Sequence, residues 1–287
     1  MNLGSIKASP TIQSMGPLIT VDGNGGSGLL LFRRLAELSV QTAQEHGISV
    51  ILARNFSRYS SLYPYTEHVS RNGLISILMN SAGPPAVALF GSIDPITGTN
   101  PVCFSFPTTE GVQTFDFATS SVVWGAIRLA ALGDDELPAE SFLDVAGEFT
   151  TDPASANAVT AFGMAKGSAL NLAVELICGP GTGAAAGRKV DSEFDCGALF
   201  FSFDPARMGG RNFEKAASAL LSEVRNSRPT SGNTRVRAPG DTQHGTNLIQ
   251  ETAPSTTLDI PGLTLDLLQQ MASGEPQSDL VSNPMFN

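Results

Sequence analysis

A glycine-rich turn, VDGNGGSG (21–28), narrows the fold of this chain more than any other stretch. Gly23, Gly25 and Gly28 satisfy the spacing G-x-G-x-x-G. Behind them Leu30, Leu31, Leu35 and Leu38 fall near helical spacing, which predicts a helix from about Leu29 to His46, stopped by Gly47. The β-branched run ISVILA (48–53) follows as a strand. A turn of this kind opens dinucleotide-binding units, but there an acidic residue follows the second strand, and Arg54 and Asn55 stand in its place here. Two readings remain. The arginine accepts a 2′-phosphate, or the turn only lets a helix pack closely and holds no ligand.

The remaining segments alternate between the two periods. A helix is expected from about Leu62 to Asn72, with Gly73 past its end, then a strand over 74–80 and a loop rich in proline and glycine over 82–101. Strands follow at 102–108 and 112–120, the second ending in small residues, then a helix carrying Trp124, Ile127, Leu129 and Leu132. A polar loop leads to the stretch Ala161–Gly187. There Leu170, Leu172, Ala173, Leu176 and Ile177 mark a helix, Ser168 is a candidate N-cap, and Gly179, Pro180 and Gly181 end it. Lys166 precedes the first turn, where the helix dipole is already positive, so helix stability does not explain it. A cofactor phosphate or a substrate carboxylate would; an exposed loop lysine is the other reading. A strand at 197–205, an amphipathic helix at about 213–225, a strand near Arg235–Arg237 and a helix near 263–271 complete the pattern. Residues 1–20 read as an extended lead-in and the last fifteen or so as frayed. No repeat and no linker divide the chain, so one unit is expected over 1–287.

Charge and cysteine content remove several function classes. Lys+Arg is 17 and Asp+Glu is 27, a net charge of −10, which excludes a nonspecific nucleic-acid binder. Cys103, Cys178 and Cys196 are too widely spaced for a zinc motif or a disulfide framework, and a reducing cytoplasm is the simplest setting. No signal peptide is seen and no apolar run is long enough to cross a bilayer, so no membrane partner is expected.

Several stretches, in order, carry a resemblance: VDGNGGSG (21–28), GTNPVCFSFPT (98–108), FDFATS (115–120), ELP and TTDP between 136 and 153, FGMAKGSALNLAVE (162–175), FFSFDP (200–205) and RVRAPGD (235–241). The chain resembles the malate/L-lactate dehydrogenase family, which lacks a Rossmann fold. The resemblance implies a mixed α/β fold around a large, partly antiparallel sheet, a homodimer, and a small-molecule substrate. It implies NADH or NADPH held by a portion covering about 98–240: Asp116, Phe117, Ala118, Thr119 and Ser120 along a strand and its end, Lys166 and Gly167 at a helix start, and Pro239, Gly240 and Asp241 closing over the cofactor. It also makes the glycine turn at 23–28 structural.

The chain departs from the family where protons move. The family's N-terminal Ser-His-Gly segment has no counterpart, Arg58 of RNFSRYSS stands where the family has its proton-transferring histidine, and Gly83 and Pro84 replace an assisting acid. Arginine keeps its proton far above neutral pH, so Arg58 suits binding of a carboxylate or an oxyanion rather than acid catalysis. Tyr59 is a candidate donor through its hydroxyl, and simple packing is its alternative. His46 and His68 read as structural, whereas His244 follows APGD and could approach the cofactor. Three hypotheses result: a nicotinamide-dependent reductase with an altered substrate, such as a cyclic imine bearing a carboxylate; a repurposed non-redox cyclase, isomerase or decarboxylase; or a noncatalytic binding protein. In the first, Arg58, Tyr59 and Lys166 are the catalytic candidates.

Overall fold

The computed structural model describes residues 8–123, 136–192 and 194–241. Thr11–Met15 (β1) and Leu18–Gly26 (β2) pair antiparallel across Gly16, which takes φ 60°. The expected plain lead-in is therefore a hairpin from residue 11 onward. Gly28–His46 (α1) buries Leu31, Phe32, Leu35, Ala36, Val40 and Ala43, and Gly47 at φ 83° closes it by donating its N–H to Ala43. Ile48–Phe56 (β3) then runs parallel to β2. Gly28 shows why the turn is glycine-rich: a Cβ there would run into the carbonyl oxygen of Ser57. The backbone approach that the fingerprint provides is used by the protein itself.

Tyr63–Ser70 (α2), Ile75–Asn80 (β4), Val102–Thr108 (β7) and Gly111–Phe117 (β8) follow, with the short Val87–Ala88 (β5) and Pro95–Thr97 (β6) between β4 and β7. Phe142–Leu143 (β9), Ala158–Thr160 (β10), Ala165–Cys178 (α3), Gly197–Phe203 (β11) and Phe213–Arg225 (α4) complete the elements. Seven strands form one sheet in the order β1-β2-β3-β11-β4-β7-β8. Only the β2–β3 pair in it is parallel. A smaller sheet, β6-β5-β10-β9, stands beside it. The fold is thus mixed α/β around a large, mainly antiparallel sheet, as expected.

Strand alternation divides the core. Ile51, Ala53, Leu78, Cys103, Ala198 and Phe200 face α1 and α2 with Phe32, Leu35, Leu62 and Val69. Their chain neighbours Met79, Val102, Phe104 and Leu199 face α3 through Leu170, Val174 and Cys178. Two expectations are corrected. The helix α3 begins three residues before Ser168, whose hydroxyl instead accepts the N–H of Phe90 at 2.8 Å, and Met164 occupies the cap position with no side-chain cap bond. Residues 235–237 form no strand, because the segment folds as a loop that returns to β8. The expected helices around Trp124 and near 263–271, the C-terminal residues and His244 lie outside the described residues, as does the C-terminal part of the expected single unit.

Candidate cofactor and substrate site

The edge strand β8 organises the site. Phe115 pairs with Phe104 and Asp116 with Cys103, so the alternation sends Phe115 and Phe117 toward the α3 face and Asp116 toward α2. The Asp116 carboxylate accepts the backbone N–H groups of Leu62 at 3.0 Å and Tyr63 at 2.9 Å, and so caps the start of α2. Burial raises its pKa, and those two donors pull the other way. Asp116 is thus bound to a helix start on the opposite face from Phe117.

Past Phe117 the chain passes Ala118, half-buried, and zips onto the segment before α3. Phe162 donates its N–H to the Thr119 carbonyl at 3.1 Å, and Ser120 pairs with Ala161. The Phe117 and Phe162 rings meet edge to face at 6.0 Å. Lys166 is exposed in the first turn of α3, and Gly167 is buried against the Phe162 carbonyl. Met164 enters the helix at φ 58°, ψ −122°, a conformation costly for a residue with a Cβ. A buried polar network fixes this junction. Asn171 Nδ2 donates to the Gly98 carbonyl and to Thr119 Oγ1, both at 2.9 Å. Asn100 Nδ2 donates to Glu175 Oε2 at 2.8 Å, and Glu175 Oε1 accepts the N–H of Gly187 at 2.7 Å.

The third piece lies further back along the same strand. Gln113 Nε2 donates to the Pro239 carbonyl. Gly240 sits so close to β8 that a Cβ would strike the Thr114 carbonyl oxygen. Arg225 grips Asp241 with two bonds, Nη2 to Oδ1 at 2.8 Å and Nε to Oδ2 at 3.2 Å. The Arg225 hydrogen bond is the main reason the Asp241 carboxyl lies below its ordinary range, helped by the Ala238 N–H and the guanidinium charge, against a burial penalty. One strand therefore carries Thr119, Ser120, Lys166 and Gly167 at one end and Pro239–Asp241 toward the other.

Tyr59 belongs to the α1 side. Its ring packs on Phe32 at 5.1 Å and Phe56 at 6.3 Å, and its carbonyl accepts the Tyr65 hydroxyl at 2.8 Å. Burial pushes its phenol well above the ordinary value, with the Cys196 and Asp116 charges adding to the rise. Arg58 precedes it, exposed, with its carbonyl close to Gly28. Arg54 is held by Asp22 at 3.1 Å and reaches the Thr182 carbonyl at 3.3 Å. His46 ends α1 and His68 lies exposed on α2. Among the described residues no three His, Cys, Asp or Glu side chains could hold a metal ion, and no helix is long and apolar enough to cross a membrane. The three cysteines are buried and none forms a disulfide with a described residue, and burial pushes the Cys178 thiol up to about 12.

Phe162, Gln113, Asn171, Glu175 and Arg225 are not among the candidates that the sequence alone singles out. Phe162, Asn171 and Glu175 stand inside FGMAKGSALNLAVE and carried a signal there, whereas Gln113 and Arg225 become visible only when the loop folds back onto β8.

Comparison with known proteins identifies the family and the fold. Residues 3–253 match the family model described as malate/L-lactate dehydrogenase. A Delta(1)-pyrroline-2-carboxylate reductase of Burkholderia ambifaria is 36% identical over 211 residues, 69% of this chain and 62% of that protein. An L-sulfolactate dehydrogenase of Methanocaldococcus jannaschii is 32% identical over 244 residues, 81% of this chain and 70% of that one. The chain therefore spans less than two thirds of the pyrroline-2-carboxylate reductase. The solved sulfolactate dehydrogenase of M. jannaschii superposes with a TM-score of 0.83 at 27% identity, covering 95% of this chain and 80% of that one. The delta1-piperideine-2-carboxylate reductase of Pseudomonas syringae superposes with a TM-score of 0.78 at 25% identity, covering 93% and 82%. By family model, relatives and fold together, the chain belongs to the malate/L-lactate dehydrogenase family.

Proposed function

We propose that the chain is a nicotinamide-dependent reductase of a small carboxylate-bearing imine or keto compound, acting as a homodimer in a reducing cytoplasm. The supporting observation is the convergence on β8: Thr119, Ser120, Lys166 and Gly167 at one end, Pro239, Gly240 and Asp241 toward the other. The residues suit NADH or NADPH. Phe117 and Phe162 offer partly exposed aromatic faces for a planar ring. Lys166 and the uncapped first turn of α3 offer positive charge to a phosphate or carboxylate. When bound, the nicotinamide supplies a hydride to the carbon of a C=N or C=O bond.

The proton decides between those two substrates. Reducing a ketone leaves an alkoxide, which needs an acid with a pKa near the working pH. A guanidinium is no acid near neutral pH, and burial moves the Tyr59 phenol further from neutral. A protonated cyclic imine already carries its proton on nitrogen: the hydride adds to carbon, the C=N π electrons become a nitrogen lone pair, and an amine results. Arg58 then holds the carboxylate. The pyrroline-2-carboxylate reductases among the relatives are named for a compound of this kind.

Fluorescence titration with NADH and NADPH, followed by turnover with Δ1-pyrroline-2-carboxylate and with malate, tests this. A nicotinamide should bind and the imine should be reduced, while malate turns over at well below about 1 per second. Failure of both nicotinamides to bind would leave a non-redox cyclase, isomerase or decarboxylase, or a noncatalytic binding protein. The dimer rests on Leu172, Leu176 and Ile177, which α3 leaves 42%, 57% and 37% exposed. Light scattering at micromolar concentration should give twice the 30.0 kDa chain mass, and a monomer mass would refute the dimer.

A further inference from the structure

Asn171, Val174, Glu175 and Cys178 form the buried stripe of α3, at the spacing i, i+3, i+4, i+7. Such a stripe is normally apolar. A leucine at 171 would form helix more readily than asparagine and would bury no polar atom. The fully buried Asn171 amide instead has to find a partner for every donor and acceptor, and it does. Its Nδ2 donates to the Gly98 carbonyl and to Thr119 Oγ1, both at 2.9 Å. Its Oδ1 accepts Thr97 Oγ1 at 2.6 Å and Asn100 Nδ2 at 3.4 Å. Neither helix propensity nor apolar burial accounts for this residue.

The partners belong to two separate segments. Thr97 ends β6, and Gly98 and Asn100 lie between β6 and β7, whereas Thr119 stands just past β8. The Thr119 hydroxyl donates onward to the Asn100 carbonyl at 2.9 Å and is fully buried, so it faces no ligand. Its backbone carbonyl takes the Phe162 N–H, and Phe117 two residues earlier meets the Phe162 ring. On the helix side, Lys166 precedes Asn171 by five residues of the same rigid element. One buried amide therefore ties the element that carries Lys166 and Gly167 to the strand end that carries Phe117 and Ser120.

We propose that Asn171 is a positioning residue: it touches no ligand, and it sets the spacing between the start of α3 and the end of β8, so that hydride transfer depends on it more than nicotinamide binding does. The proposal rests on the nicotinamide reading above and adds the residue that holds that site in register. A fully satisfied buried network admits one arrangement of the elements it joins. Without the amide, the Gly98 carbonyl and the Thr97 and Thr119 hydroxyls must seek other partners, and the two segments are free to shift. Affinity tolerates such a shift, because charge attraction and ring contacts are spread over several groups. Hydride transfer does not, since displacing reacting atoms by about 1 Å costs on the order of a hundredfold in rate.

The test compares the full chain with Asn171→Ala, Thr119→Val and Val174→Ala. Thr119→Val breaks the link to β8 with little change of shape and serves if Asn171→Ala fails to fold. Val174→Ala removes packing from the same stripe without touching the network, and is the structural control. Each sample is melted, titrated with NADH and NADPH, and followed through a single turnover of Δ1-pyrroline-2-carboxylate; amide hydrogen exchange is read without ligand. The two network variants should slow hydride transfer at saturation by about tenfold to a hundredfold and weaken nicotinamide binding by no more than about threefold. Val174→Ala should lower the melt and keep both within about twofold. The Thr119 and Phe162 amides should exchange at least about tenfold faster, relative to those of β11, in the network variants alone. Lost affinity with an unchanged rate at saturation overturns the proposal, as does a lower melt with rate and relative exchange unchanged, or equal slowing in Val174→Ala. Should wild type bind neither nicotinamide or leave the imine unreduced, the reductase reading is what fails, and the exchange of Thr119 and Phe162 alone decides whether Asn171 holds the two segments.

Discussion

The two faces of β8 are made of adjacent residues and do different work. On the α2 side Asp116 caps a helix, and Ser105, Thr114, Thr66 and Cys103 bond to one another in the interior. Every polar group there is turned inward. On the α3 side Phe104, Phe106, Phe115 and Phe117 stay partly exposed and meet one another or Phe162, which comes from a distant part of the chain. Burial has been completed on one face, and on the other a surface has been left for something else. A single strand can divide its duties this way because its side chains alternate.

The comparison is broken most severely from the packed side. Phe32 is fully buried against Phe56, Tyr59 and Tyr65. Phe32→Ala should cost roughly 3–5 kcal/mol, a fall in Tm on the order of 10 °C. At a temperature where the variant is still folded, nicotinamide affinity should stay near wild type. A melt unchanged by this substitution would mean that the α1 face is not the stabilising one.

Lys166→Ala probes the other face with a smaller energy. It removes one charge-assisted contact with the proposed anionic ligand, so affinity for that ligand should fall about tenfold to a hundredfold. The melt should hold or rise, since alanine suits a helix start and a repulsive charge is gone. Lys166→Arg should rescue only part of the binding. A lowered melt with unchanged binding would make the lysine structural.

The smallest effect is one of pH. Asp241 has a folded pKa below its unfolded value, held there mainly by Arg225. Such a group stabilises the fold above the unfolded pKa, about 3.9, and loses that contribution as pH falls through the folded value. The Tm difference between wild type and Asp241→Asn should be constant from about pH 7 to 5, shrink as pH falls below about 4, and vanish only below the depressed folded pKa. A difference that grew on acidification would assign the shift to another group.

Much of the scaffold was legible in the sequence. The apolar spacing of α1 and its closing Gly47, the alternation of β4, β7 and β11, and the stripe of α4 all gave elements at nearly the right bounds. The alternation Phe115-Asp116-Phe117 also carries the information that Asp116 faces away from its neighbours, although the family resemblance implies one lining for all of them. Other features had no local signal. Nothing around Met164 announces a residue at φ 58°, so the start of α3 was set at Ser168, whose hydroxyl is claimed by Phe90 from 78 positions away. The loop at 235–237 has strand-like residues and lacks a partner strand, because its neighbours are spent holding Pro239 and Asp241 on β8.

The close seat of Gly240 on Thr114 bears on more than ligand binding. Among the described residues β8 is the last strand of its sheet, and an open edge is a template onto which another chain can add a strand and begin to aggregate. A turn clamped across that edge, with Pro239 contributing no N–H and Asp241 bringing a carboxylate, obstructs such growth. The residues proposed above to close over a cofactor thus also guard the sheet edge, and a substitution that loosens the clamp exposes the chain to self-association before it costs the chain its fold.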